Sequence, residues 1–158
     1  MDDSETYLRE AIALAYANAE KGGRPFGAVI VRDGRVIASA VNEILATGDP
    51  TSHAELNAIR LASKVVGSPD LAGCSVFASG HPCPMCMAAM RLARIGAVTY
   101  AYSNEDGEPY GLSTAAIYDD LAKPFAEQAM DIRHLRVRLD GKSDLYADWR
   151  QRQGVNGH

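Results

Sequence analysis

The chain has 158 residues, a formal net charge of −4, and 47% hydrophobic and 23% charged residues. That length suits one domain with its own core, burying roughly 70% of the surface of the unfolded chain without disulfide staples. The acidic balance argues against a protein whose main task is gripping nucleic acid. No apolar run approaches the ~18 residues of a membrane span, and the acidic start Met1-Asp2-Asp3-Ser4-Glu5 is not a secretory signal.

In chain order, residues 4–19 predict a first helix. Leu8, Ala11, Ile12, Ala15 and Tyr16 recur at helical spacing, Ser4 stands where a cap is needed, and Glu20-Lys21-Gly22-Gly23 ends it. Residues 26–31 and 36–41 are apolar runs joined through Asp33-Gly34, a hairpin signal. Residues 52–64 predict a second helix with Leu56, Ile59 and Leu61 as apolar positions, and residues 74–79 a buried strand. Residues 84–94 predict a helix with Pro84 in its tolerated first turn. A strand over 97–102, a short helix over 113–121, a last strand over 135–139 and a closing helix over 143–153 complete the pattern.

A hairpin followed by alternating helices and strands implies an α/β fold, a three-layer α/β/α sandwich around a central mixed five-stranded sheet. No Gly/Pro/Ser run marks a linker, so residues 1–158 are expected to form a single domain. Residues 133–152 carry six basic groups against three acids, which reads as a solvated strand and helix face.

Two short segments carry chemistry: His53-Ala54-Glu55 at a helix start, and Pro82-Cys83-Pro84-Met85-Cys86 leading into the next helix. In a chain without an export signal, a Cys-x-x-Cys spacing points to metal or redox chemistry rather than a disulfide framework, and to the cytoplasm. Zinc takes thiolate and imidazole ligands in a tetrahedron, and cysteines three apart at a helix start can face one point. His53, Cys83 and Cys86 then make three protein ligands, and a catalytic zinc keeps its fourth position for water, whose pKa it lowers toward ~7. Glu55, two residues beyond His53, is placed to accept the water proton and hand it to a leaving amine. A redox pair is the alternative for the thiols. A closed, structural zinc would need Cys74 or His81 as a fourth ligand, but Cys74 reads as a core residue and His81 as part of the turn. His134 and His158 receive no role.

The pattern H-x-E followed by P-C-x-x-C is the signature of the cytidine deaminase superfamily, which the sequence resembles. Within it the chain is most similar to the bacterial guanine deaminase branch, through Pro25 to Val31, Asp49 to Glu55, Ala58-Ile59-Arg60, Pro82 to Cys86, Ile117-Tyr118 and Trp149-Arg150. The resemblance implies a zinc-dependent hydrolytic deaminase of a free nucleobase or related amino-heterocycle, guanine to xanthine plus ammonia being the first expectation. It implies that Asn42 bonds a ring nitrogen or carbonyl of the base. It also implies that backbone N–H groups near Ala54 and Cys83 approach the reacting carbon. Phe26 is a candidate wall for the flat ring, and equally a core residue.

The branch places an acid that reads the donor edge of guanine where Thr114 stands, and threonine offers no charge-assisted bond. Glu105, Asp106 or Glu108 are acids in the preceding loop that could take its place. His81 stands where a glutamate is usual, and the tail over 153–158 lacks the aromatic residue that the branch threads into a partner's site. The resemblance further implies a homodimer with the closing helix exchanged. The alternatives are a deaminase of cytosine, a pterin, a triazine or a nucleoside, a tRNA adenosine deaminase, and a non-enzymatic domain built on structural zinc.

Overall fold

The computed structural model describes residues 2–155, which fall into two compact units divided between Ala122 and Lys123. The first unit opens with α1 (Ser4–Glu20). Its cap sits one residue earlier than expected. Asp3 is the N-cap residue, and the Ser4 hydroxyl donates to Asp2 Oδ1 at 2.7 Å instead of accepting from the helix start.

The hairpin of β1 (Gly27–Arg32) and β2 (Arg35–Val41) turns at Asp33 and Gly34, with φ of 51° and 73°. Two successive positive φ angles make the turn whose twist matches the flanking strands, which is why Asp-Gly is read there. The pairing skips Ile37, since Ile30 opposes Ala38 and Val31 opposes Val36, so β2 carries a bulge. Then come α2 (Ile44–Thr47), α3 (Ala54–Val66), β3 (Cys74–Gly80), α4 (Pro84–Leu92) and β4 (Ala97–Tyr102). The unit closes with α5 (Asn104–Gly107), a 3-10 turn over Glu108–Tyr110, and α6 (Ala115–Leu121).

The sheet runs β2-β1-β3-β4, with β1 antiparallel to both neighbours and β3 parallel to β4 across the α4 crossover. On one face Val29, Val31 and Phe77 pack with Tyr7, Leu8 and Leu14 of α1. On the other, Ala28, Ile30 and Val76 meet Ala54, Ala58 and Ala62 of α3 and Met90 of α4. The three layers are therefore as expected. Small residues set the spacing on both sides. The alanines of α3 recur every fourth residue along one face, and a Cβ on Gly27 would lie 2.4 Å from the Ala11 carbonyl oxygen.

The fifth strand is not formed: among the described residues the sheet has four strands. Residues 131–139 of the second unit form no helix and join no sheet among the described residues, and Leu135, Val137 and Leu139 are 81%, 72% and 73% exposed. Alternating Leu-Arg-Val-Arg-Leu specifies extended backbone and two faces, but a strand also needs an edge to bond. The second unit also holds a 3-10 turn over Phe125–Glu127 and ends in α7 (Leu145–Val155). His158 and the tail beyond Val155 lie outside the described residues. No helix among the described residues is long and apolar enough to cross a membrane.

Candidate metal centre

Both chemistry-bearing segments end as helix N-termini. His53 is the N-cap residue of α3, in extended backbone at φ −77° and ψ 152°. A tight turn delivers it: Asp49 Oδ1 accepts from the Thr51 N–H at 2.8 Å, and the His53 N–H donates to the Thr51 carbonyl at 2.7 Å. Cys83 is the N-cap residue of α4, with Pro84 behind it in the first turn, and its sulfur accepts the Cys86 N–H at 3.5 Å. A helix start presents unpaired N–H groups and partial positive charge, so two of them converging on one point favour anionic ligands there.

Cys83 Sγ lies 3.4 Å and Cys86 Sγ 3.6 Å from His53 Nδ1, and the three donor atoms are all within 4.8 Å of one another. A tetrahedral zinc with Zn–S near ~2.3 Å and Zn–N near ~2.0 Å sets N···S edges of roughly 3.5 Å. The donor set thus fits zinc in both chemistry and size. Cys74 stays in the core of β3, and the His81 ring packs on Tyr100 and Tyr118 at centroid distances of 4.7 and 5.4 Å. Neither joins the cluster, which among the described residues has three protein donors.

The electrostatics follow from crowding negative groups in a half-dry pocket. The Cys86 thiol and His53 hydrogen-bond to Cys83 and hold its pKa down to about 4, whereas the neighbouring sulfur and burial push Cys86 up. His53 is raised, first by its hydrogen bond to Cys83. Glu55, in the first turn of α3 and 7% exposed, is raised by burial above all. A divalent cation is the natural counterweight, since it deprotonates a coordinating thiol outright.

The remaining candidates surround this cluster to different degrees. Ala54 is fully buried as the first residue of α3, where its N–H has no helical acceptor. Asn42 is 4% exposed and follows β2, and the Glu43 N–H bonds the Ser52 carbonyl at 2.9 Å, which lays this strand end against the turn carrying His53. Asn42 Oδ1 accepts from the Ile44 N–H at 3.0 Å, which leaves its NH2 as the free donor edge. Phe26 is half-buried against the core that includes Cys83, and its carbonyl accepts from the Asn42 N–H at 3.1 Å.

Thr114 is the N-cap residue of α6 but caps nothing with its side chain. Its Oγ1 is buried with no partner among the described residues. Of the loop acids, Asp106 is occupied in a capping box with Ser103, and Glu105 and Glu108 are exposed.

Three side chains make long-range hydrogen bonds that no local pattern announces. Asn18 Nδ2 donates to the carbonyls of Arg24 and Asn42, both at 2.8 Å. Asn57 Nδ2 donates to the Val41 carbonyl at 3.0 Å and to Ser52 Oγ at 3.1 Å. The Tyr118 hydroxyl donates to the Pro82 carbonyl. Asparagine inside a helix is unfavourable on its own, so Asn18 and Asn57 were signals of a sort.

A family model for the cytidine and deoxycytidylate deaminase zinc-binding region matches residues 1–102. The chain belongs to this family. It is 41% identical over 147 residues to the guanine deaminase of Bacillus subtilis (strain 168), covering 92% of this chain and 93% of that one. The X-ray structure of guanine deaminase from Bacillus subtilis matches with a TM-score of 0.83 and 40% identity, over 96% of this chain and 95% of that one. The tRNA-specific adenosine deaminase of Aquifex aeolicus (strain VF5) is 38% identical over 97 residues, covering 61% of this chain and 64% of that one. The chain is therefore a zinc-dependent hydrolytic deaminase with the cytidine deaminase fold.

Proposed function

We propose that this deaminase acts on a free base, guanine first, giving xanthine and ammonia. Glu55 carries the proton, and His53, Cys83 and Cys86 hold zinc. The observation that carries this reading is coverage: the match to a guanine deaminase runs through 92% of the chain, whereas the match to a tRNA deaminase spans 61%.

A zinc ion held by His53, Cys83 and Cys86 would supply a nucleophile at neutral pH by acidifying water. Glu55 would accept a proton from the attacking water as the new C–O bond forms, then deliver it so that the C–N bond breaks and the amine leaves as ammonia. Burial raises its proton affinity, which suits a group that must hold a proton between two steps. The N–H groups at the starts of α3 and α4, at Ala54 and Cys83, face the developing charge. The Asn42 NH2 donates to a ring carbonyl or nitrogen, Phe26 forms one wall, and the Thr114 hydroxyl meets the N–H donor edge of the ring.

One observation favours a second reading. Thr114 is neutral, so a ring without the guanine donor edge, such as cytosine or an aminotriazine, loses little by comparison. Ammonia release from zinc-loaded protein across guanine, cytosine, adenine, their nucleosides, pterin and an aminotriazine separates the two, with Glu55→Ala as the blank. Guanine leading the panel supports the proposal, and turnover of another ring with guanine inert overturns it.

We also propose a cytoplasmic homodimer in which the closing helix is exchanged, so that residues 1–158 complete one deaminase domain with a second copy. Two separate features support it. The second unit exposes Leu135, Val137, Tyr146 and Trp149 at 59–81%. The first ends its sheet in an open β4 edge beside a groove of about 480 Å³ lined by Ile12, Tyr16, Phe26, Tyr102 and Tyr110. Light scattering after gel filtration tests it: a mass twice that of the chain is expected, and a monomer would rule it out.

A further inference from the structure

We infer that Tyr118 is a positioning residue, tying the metal-ligand loop to the helix that carries Thr114. This rests on the proposed role of Cys83 as a ligand. Pro82 and Pro84 flank that cysteine, and neither has an N–H, so the loop can bond its neighbours mainly through carbonyls. Pro82 is fully buried, and a buried carbonyl needs a donor. Tyr118 provides it from α6, and the Pro82 carbonyl is the last one before the ligand itself.

The aromatic ring reinforces the same join. It meets the His81 ring edge-on at 5.4 Å and 68°, and the His81 N–H bonds the Tyr102 carbonyl at 2.7 Å. Residues 81 and 82 are thus held between β4 and α6 immediately before Cys83. Thr114 and Tyr118 lie four apart, one helical turn, so they share a face of α6. The buried hydroxyl of Thr114, without a partner among the described residues, takes its position from the helix that Tyr118 fastens. One phenol therefore sets both the zinc loop and the distance of Thr114 from it.

Tyr118→Phe keeps the ring and removes the donor. In competition with a chromophoric chelator, its zinc affinity is expected to fall on the order of 10-fold, the usual effect of losing a group that orients a ligand. The zinc-induced rise in unfolding midpoint should shrink, while the metal-free midpoint changes less. The exposed neighbour Ile117→Ala should leave both unchanged. If the Phe variant does not fold, Tyr118→Leu, which also lacks a donor, is measured in the same way. Wild-type zinc affinity in the folded variant, or equal loss of both midpoints, overturns the tether. Neither readout uses a substrate, so failure of the guanine reading leaves it standing. A wild-type chain that binds no zinc removes the ligand assignment and the tether together.

Discussion

The metal centre and the second unit are built in opposite ways. The first gathers Glu55, Cys83 and Cys86 at 7% exposure or less, on two helix starts fastened to the core by alanines and by side-chain amides. The second, from Lys123 onward, leaves its leucines, Tyr146 and Trp149 open, and its ion pairs lie in solvent. Chemistry is fixed within one unit by short-range pattern, whereas the other leaves its apolar side chains exposed. Substitutions in the two regions should differ accordingly in kind and in size.

The largest effect belongs to Glu55. Glu55→Gln keeps the shape and removes the proton carrier, so kcat should drop by about 10²–10⁴-fold with zinc content unchanged by metal analysis. A variant that retains more than a tenth of its rate would break the assignment, and one that loses zinc as well would show Glu55 to be a ligand.

Next is Thr114→Asp, which restores an acid on α6. A charge-assisted hydrogen bond exceeds a neutral one by roughly 1 kcal/mol, so KM for guanine should fall about five- to tenfold, with little change in kcat. An unchanged KM would mean that the Thr114 hydroxyl does not face the bound base.

Asn57→Ala tests how the site is held rather than what it does. The amide bonds the Val41 carbonyl and Ser52, hence the strand end before Asn42 and the turn before His53. Its loss should cost about 1–2 kcal/mol of stability for a half-buried group and raise KM several-fold, with zinc still bound. Chemical denaturation and steady-state kinetics together check it, and stability loss without a KM change would reduce Asn57 to a fold residue.

How much of this was readable depends on range. His53 with Glu55, and Cys83 with Cys86, are separated by two or three residues, so their spacing alone implies a shared focus. The hairpin was equally local, because Asp33-Gly34 specifies its own turn. Residues 135–139 show the limit: alternation implies a strand, yet strand formation depends on an edge supplied elsewhere. The tethers are the hardest case. Asn18 to Asn42, Asn57 to Val41 and Tyr118 to Pro82 span 24, 16 and 36 residues, and no local pattern announces their partners. Thr114 belongs here too, since an N-cap residue whose hydroxyl is buried without a partner among the described residues is visible only once α6 is placed.

The smallest expected effect lies in the second unit and sharpens the contrast most. Arg138 pairs with Asp144 at 3.1 Å, but the two side chains are 55% and 51% exposed. Exposed pairs contribute about 0–1 kcal/mol, because water and salt screen them and two side chains must be ordered. Arg138→Ala should therefore leave kcat and KM unchanged and shift the denaturation midpoint by less than the error expected for Asn57→Ala. Any small loss should vanish at high salt. A loss above ~1 kcal/mol that persists in salt would mean that this segment is covered in solution, as exchange between two copies would require. This exposed ion pair of the second unit thus reports on assembly without touching the chemistry.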